Sequence, residues 1–118
     1  MPLVQHNSLP SIDRIAQEGG AFCSPDQSRA DLPSLRIGFL NMMPDKALLA
    51  TERQFLRLLA SHDQLNCYFL PFTIAGIERE DEALQHVQTH YQSFEQIQQS
   101  NLDALIITGA NVTQAVLA

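Results

Sequence analysis

Apolar residues in this chain gather in short continuous runs, and between them lie longer stretches whose apolar positions recur at helical spacing. The run at 35–41, Leu-Arg-Ile-Gly-Phe-Leu-Asn, is rich in strand formers and closes on turn residues, which predicts a strand. Pro44 and Asp45 then open a helix, with proline tolerated at its start and aspartate able to cap free backbone N–H groups. At about 100° per residue, Leu48, Leu49, Phe55, Leu56, Leu58 and Leu59 share one broad face, and Arg53, Gln54 and Arg57 take the other. A second run at 65–72, Leu-Asn-Cys-Tyr-Phe-Leu-Pro-Phe, follows the turn-like Ser61, His62 and Asp63 and predicts a strand ending near Pro71. Residues 73–81 read as a loop. Helical stretches follow at 82–91 and 93–99, the second with Phe94 and Ile97 three residues apart. The last run, 103–110, is continuously apolar and ends in Gly109 and Ala110, as expected of a strand buried on both faces of a parallel sheet.

Strands alternating with helices imply right-handed crossovers and an α/β fold with a doubly wound parallel sheet. Ligands in such folds sit beyond the carboxyl ends of the strands, where the strand order reverses. Three strands make a small sheet with open edges, and the sequence stops eight residues after Ala110, so an incomplete domain is expected. Residues 1–34 read differently: prolines at 2, 10, 25 and 33, the pair Gly19 and Gly20, and one short amphipathic stretch at 12–18. That texture predicts an N-terminal arm, largely irregular, lying over a core that 35–118 begins to build.

Charge narrows the function. Thirteen acidic side chains against seven basic ones give a net charge of −6, and the basic residues are scattered. A phosphate backbone needs concentrated positive charge, so nucleic acid is not an expected partner. No apolar stretch approaches the roughly 20 residues that cross a bilayer, and the N-terminus lacks the basic start and apolar run of a secretory signal. The expectation is a cytoplasmic protein without a membrane partner. Two cysteines, Cys23 and Cys67, are too few for a disulfide framework or a zinc cluster and are expected as free thiols.

Two loops at the carboxyl ends of strands are the candidate walls of a site: 41–46, Asn-Met-Met-Pro-Asp-Lys, and 108–113, Thr-Gly-Ala-Asn-Val-Thr. In the second, small residues let main-chain N–H groups face a developing oxyanion; a tight strand-to-helix turn accounts for the same residues. Glu52 falls inside the apolar arc of its helix and must be paired or hydrogen-bonded there. A structural tie to a neighbouring loop is favoured over general acid or base work, and Thr51 beside it suits the same purpose. Cys67 lies within an apolar strand and reads as a core thiol, while Cys23 has no basic neighbour closer in sequence than Arg29. Of His6, His62, His86 and His90, the last two stand four apart on a helix, a spacing that holds a metal only with a third ligand, so an ordinary exposed helix face is expected and no metal site. No phosphate-binding glycine loop is present in the sequence, which disfavours a flavodoxin-like nucleotide binder.

Leu40-Asn41-Met42-Met43-Pro44, then 51–59 (Thr-Glu-Arg-Gln-Phe-Leu-Arg-Leu-Leu), then Phe94-Glu95-Gln96-Ile97, then Ile107-Thr108-Gly109-Ala110 resemble the homoserine O-succinyltransferase family. That family carries Asn-Leu-Met-Pro, a Thr-Glu-x-Gln helix motif and a Thr-Gly-Ala-Pro turn in the same order. Leu9-Pro10 and Ser28-Arg29-Ala30 extend the likeness into the arm.

The resemblance implies a class I glutamine amidotransferase-like (flavodoxin-like) fold and transfer of a succinyl or acetyl group from acyl-CoA to the hydroxyl of homoserine, in methionine biosynthesis. It also implies an acyl-enzyme on a cysteine, helped by a histidine and a glutamate that lie beyond residue 118, so this chain alone should be inactive. Acyl-CoA enters as co-substrate and no cofactor is implied; a homodimer is expected at full length. By the same resemblance, Gly109 and Ala110 match the small residues whose backbone donors hold the acyl oxygen. Thr113 matches the position that selects the acyl donor, where succinyl enzymes carry glycine and acetyl enzymes glutamate. Asn111 stands in place of the family's proline, and six residues, 45–50, separate Pro44 from Thr51 where four are more usual. These departures suggest a divergent branch whose acceptor is homoserine or a similar small amino acid. The competing reading is a non-catalytic amidotransferase-like module that binds a small ligand or a protein.

Overall fold

In the computed structural model of the protein, residues 3–4, 9–17, 22–23, 32–60 and 66–109 are described below. Their elements run β1 (Leu3–Val4), α1 (Pro10–Gln17), β2 (Phe22–Cys23), β3 (Ser34–Leu40), α2 (Asp45–Ala60), β4 (Asn66–Phe72), α3 (Asp81–His90), α4 (Phe94–Gln98) and β5 (Ala104–Ile107). All pairings are parallel and the sheet order is β2-β1-β4-β3-β5. The expected strand, helix, strand, helices, strand order is therefore present, as an α/β doubly wound sheet. The reading of 1–34 as largely irregular misses two strands: each is two residues long, too short to leave a periodic signal, and both add to the sheet beyond β4.

β3 and β4 pair along their whole length, Ser34 opposite Asn66 through to Leu40 opposite Phe72. Alternation sorts their side chains. Ile37, Phe39, Cys67 and Phe69 point to one face, where they meet Leu48 and Leu56 of α2, Ile12 and Ile15 of α1, and Val87 of α3. Phe39 is fully buried there, its ring 4.9 Å from Phe69 and 5.3 Å from Phe55. Leu40, Leu70 and Phe72 point to the other face, under Ile97 of α4. That short helix begins with a capping box in which Ser93 and Gln96 satisfy each other's backbone N–H. Gly38 leaves room on the same face, since a Cβ there would lie 2.6 Å from Leu102 Cδ1.

Pro71 does not end its strand. Its carbonyl accepts the Gln92 N–H and Thr73 N–H donates to Gln92 O, so Pro71 turns its backbone groups away from β3. The N–H that proline lacks would have pointed to that same side, and the β3 ladder loses nothing.

Two expectations about burial are corrected. In α2 the buried residues form a narrow stripe at four-residue spacing, Leu48, Glu52, Leu56 and Ala60, while Leu49 and Leu58 at the margins of the apolar arc are exposed. In β5, Ala104 and Ile106 pack on the α2 side, but Leu105 is 52% and Ile107 56% exposed. The strand is covered on one face only among the described residues, because α4 is five residues long and sits over β4. The apolar run signalled a strand correctly and its second face incorrectly.

β3 leads through α2 to β4 on one side, and β4 leads back past β3 to β5 through α3, which packs on the α2 side, and then α4, which covers the other. The strand order reverses between β3 and β5, so their carboxyl ends frame the crevice of the fold. Truncating Phe39 to alanine is expected to cost about 3–5 kcal/mol, whereas Ile107→Thr stays within about 0.5 kcal/mol, both read from urea unfolding of the chain.

Candidate functional site

The crevice is walled by Asn41, Met42 and Met43 after β3 and by Thr108 and Gly109 after β5. Successive residues continue the strand alternation. Asn41 turns to the α2 side and is buried, while Met42 packs with Leu40 and Leu70 on the α4 side. The two walls are joined directly: Met42 N–H donates to Thr108 Oγ1 at 2.8 Å, and Thr108 N–H to Leu40 O at 3.1 Å. The Thr108 hydroxyl in turn donates to Gly109 O at 3.0 Å.

Below the first wall lies a buried polar network centred on Glu52, which is fully out of solvent. Tyr91 O–H donates to Glu52 Oε1 at 2.7 Å, His86 Nε2 stands 2.9 Å from the same oxygen, and Ser11 Oγ donates to Oε2. These donors come from α3, from the residue just after it, and from α1. Asn41 Nδ2 donates to Leu48 O at 3.0 Å and to Tyr91 Oη at 3.3 Å, while its Oδ1 accepts Met43 N–H at 3.2 Å. Glu52 is thereby tied to the loop as expected, but through Tyr91 and Asn41.

Arg79 holds the loop from the side. Its side chain is only 3% exposed and donates to Asn41 O at 2.8 Å, to Met43 O, and to Asp45 Oδ1 at 3.1 Å. Glu80 N–H donates to Asp45 Oδ2 at 3.0 Å, so the start of α2 is fastened to the approach to α3. The six residues at 45–50 are the first turns of α2, so the extra length is taken up as helix.

Burial, then the neighbouring Glu52 carboxylate, push the Tyr91 phenol far above its ordinary value of 10.0. Burial also raises the Cys67 thiol above 9.0, in keeping with a core cysteine. His90 is lowered from 6.5, first by desolvation and then by His86, whose ring lies 5.0 Å away.

Among the candidate residues, Gly109 is exposed at the end of β5, whereas Ala110, Asn111 and Thr113 lie outside the described residues. An added Cβ on Gly109 would meet no described atom within 4 Å. Cys23 falls in β2, with its side chain outside the description. The expectation of an exposed face for His86 is corrected: its side chain is 11% exposed and engaged with Glu52, because α3 packs against α2. Among the described residues no group of three His, Cys, Asp or Glu is arranged around a metal, and no helix is long and apolar enough to cross a membrane. Sequence reasoning missed Tyr91, Arg79 and Ser11. Arg79 sits in the acidic run 78–82, which reads as a solvated surface.

The model of one protein family, described as homoserine O-succinyltransferase, matches residues 2–118. The chain belongs to the homoserine O-succinyltransferase family. It is 52% identical to the homoserine O-succinyltransferase of Allochromatium vinosum, covering 100% of this chain and 34% of that protein. The corresponding proteins of Methylobacter tundripaludum and Thioalkalivibrio nitratireducens are 50% and 48% identical, over 96% and 100% of this chain and 32% and 34% of theirs. The chain thus spans about a third of the length of the curated relatives it matches. Within the homoserine O-succinyltransferase sequence motifs, Thr51 and Glu52 open the α2 helix motif, and its glutamate is the buried hub.

Two outcomes test the network. Glu52→Gln sets an amide donor against one of the surrounding donors and should lower stability by about 2–4 kcal/mol in urea unfolding, with Ser11→Ala costing about 1 kcal/mol. Alkaline pH acts through Cys67 and Tyr91: both stay protonated in the fold while the unfolded chain loses those protons above 9.0 and 10.0. The unfolded state then binds fewer protons, so stability is fully present below about pH 9 and falls as pH rises, with Tyr91→Phe flattening the part above about pH 10 in urea midpoints measured against pH.

Proposed function

We propose that this chain is the N-terminal part of an acyltransferase that moves a succinyl or acetyl group from acyl-CoA to the hydroxyl of homoserine, in methionine biosynthesis, in the cytoplasm. A cysteine thiolate beyond residue 118 attacks the thioester carbonyl, and the CoA thiolate leaves, taking a proton from the histidinium, to give an acyl-enzyme. The acceptor hydroxyl then attacks that acyl group, a histidine base with its glutamate partner takes the proton, and the ester product departs. In this reading the chain contributes no nucleophile. It contributes the wall against which the acyl group lies, with Gly109 and Ala110 offering backbone N–H groups to the carbonyl oxygen and Thr113 bounding the acyl chain. The acceptor is homoserine or a similar small amino acid, no cofactor beyond the co-substrate takes part, and the full-length protein is a homodimer.

The observation that supports this most is the Met42–Thr108 bond, which brings the two family motifs together at the reversal of strand order. Glu52, buried and fully engaged, is assigned a supporting role.

Incubating the full-length protein that carries these residues with succinyl-CoA or acetyl-CoA should give a covalent adduct, seen by intact mass and mapped by peptide mass spectrometry to a cysteine outside residues 1–118. No adduct with either donor would end the transferase reading.

A further inference from the structure

Thr108 is held almost out of solvent at the end of β5, 7% exposed. Its hydroxyl carries one hydrogen and two lone pairs. A backbone N–H can only donate and a carbonyl can only accept, so the contacts to Met42 N–H at 2.8 Å and Gly109 O at 3.0 Å leave the hydrogen one direction, toward Gly109. The backbone N–H of the same residue is taken up by Leu40 O. One side chain therefore carries the position of the loop after β3 onto the Gly109 carbonyl beyond β5. The Gly109 oxygen is thereby held by a side chain that is itself held by the loop after β3. Gly109 itself is exposed, and no described atom would lie within 4 Å of a Cβ there.

We propose that Thr108 is a positioning residue for the acyl-binding turn: its hydroxyl, clipped to Met42 N–H, holds the Gly109 carbonyl and so the start of the turn that begins there. The inference rests on the acyltransferase reading above, in which that turn offers backbone donors. Valine has the same shape as threonine without the hydroxyl, and serine keeps it.

The test uses the full-length protein, with whichever of succinyl-CoA and acetyl-CoA acylates the wild type. Thr108→Val should slow single-turnover acylation about 10- to 100-fold, as misplacement of a donor does, while KM for the donor stays close to wild type. Thr108→Ser should recover a rate within about threefold of wild type. A valine variant that acylates like wild type, or a serine variant as slow as valine, overturns the proposal. Independently of any variant, the Met42 amide of the wild type should be protected from hydrogen exchange; exchange at the rate of an unfolded chain overturns the clip. A wild type that forms no acyl-enzyme sinks the acyltransferase reading instead, and the Met42 exchange then still decides whether the clip exists.

Discussion

A carboxylate without access to water has to be surrounded by donors, and Glu52 obtains them from three different parts of the chain. Ser11 brings α1, His86 brings α3, and Tyr91 brings the residue that leads from α3 toward α4. Replacing such a cluster by apolar residues need not weaken a fold. What an apolar core would lose is direction. Tyr91, with its hydrogen committed to Glu52, presents a lone pair to Asn41, and Asn41 in turn fixes Met43 N–H and Leu48 O. The geometry of the loop after β3 is thus set from the interior of the helix layer, and Arg79 completes it by holding the Asn41 and Met43 carbonyls from the side.

The crevice therefore has one wall fixed from below and a second that borrows its position from the first. β5 is covered on one face only among the described residues, and Gly109 beyond it is exposed. The register of β5 against β3, Ile37 with Ala104 through Leu40 with Ile107, delivers Thr108 beside Met42. From there a single hydroxyl makes the remaining connection. Order passes by hydrogen bonds from Glu52 through Tyr91 to Asn41, along the backbone to Met42, and from the Met42 N–H to the Thr108 hydroxyl.

Much of this was legible in the residues. The strand runs at 35–41, 65–72 and 103–110 and the helix opening at Asp45 were each carried by local chemistry, and β3, β4, β5 and α2 lie within or beside them. The buried glutamate was also legible, because a four-residue stripe of Leu48, Glu52, Leu56 and Ala60 admits no exposed member. Its partners were not. Ser11, His86 and Tyr91 lie 41, 34 and 39 residues away, and only the packing of α1 and α3 on α2 brings them in. The two-residue strands β1 and β2 were hidden for another reason: alternation needs more positions than they possess. Of the site residues named from the resemblance, Gly109 stands at the crevice, and Ala110 and Thr113 lie outside the described residues.

One rule would have found more of the site. Along β3 the inward positions are Leu35, Ile37 and Phe39, and the next in step is Asn41; along β5 they are Ala104 and Ile106, and the next is Thr108. In both strands the alternation runs one position past the last apolar residue and buries a polar side chain there. A polar residue in that place cannot be solvated like the loop that follows it, so it must bond to whatever the neighbouring strand presents. With β3 and β5 adjacent and parallel, their first polar inward residues arrive at the same level of the sheet, one bonding down to the helix layer and the other across to the opposite wall. The polar contacts that hold the crevice together follow from the apolar pattern of the strands that lead to it.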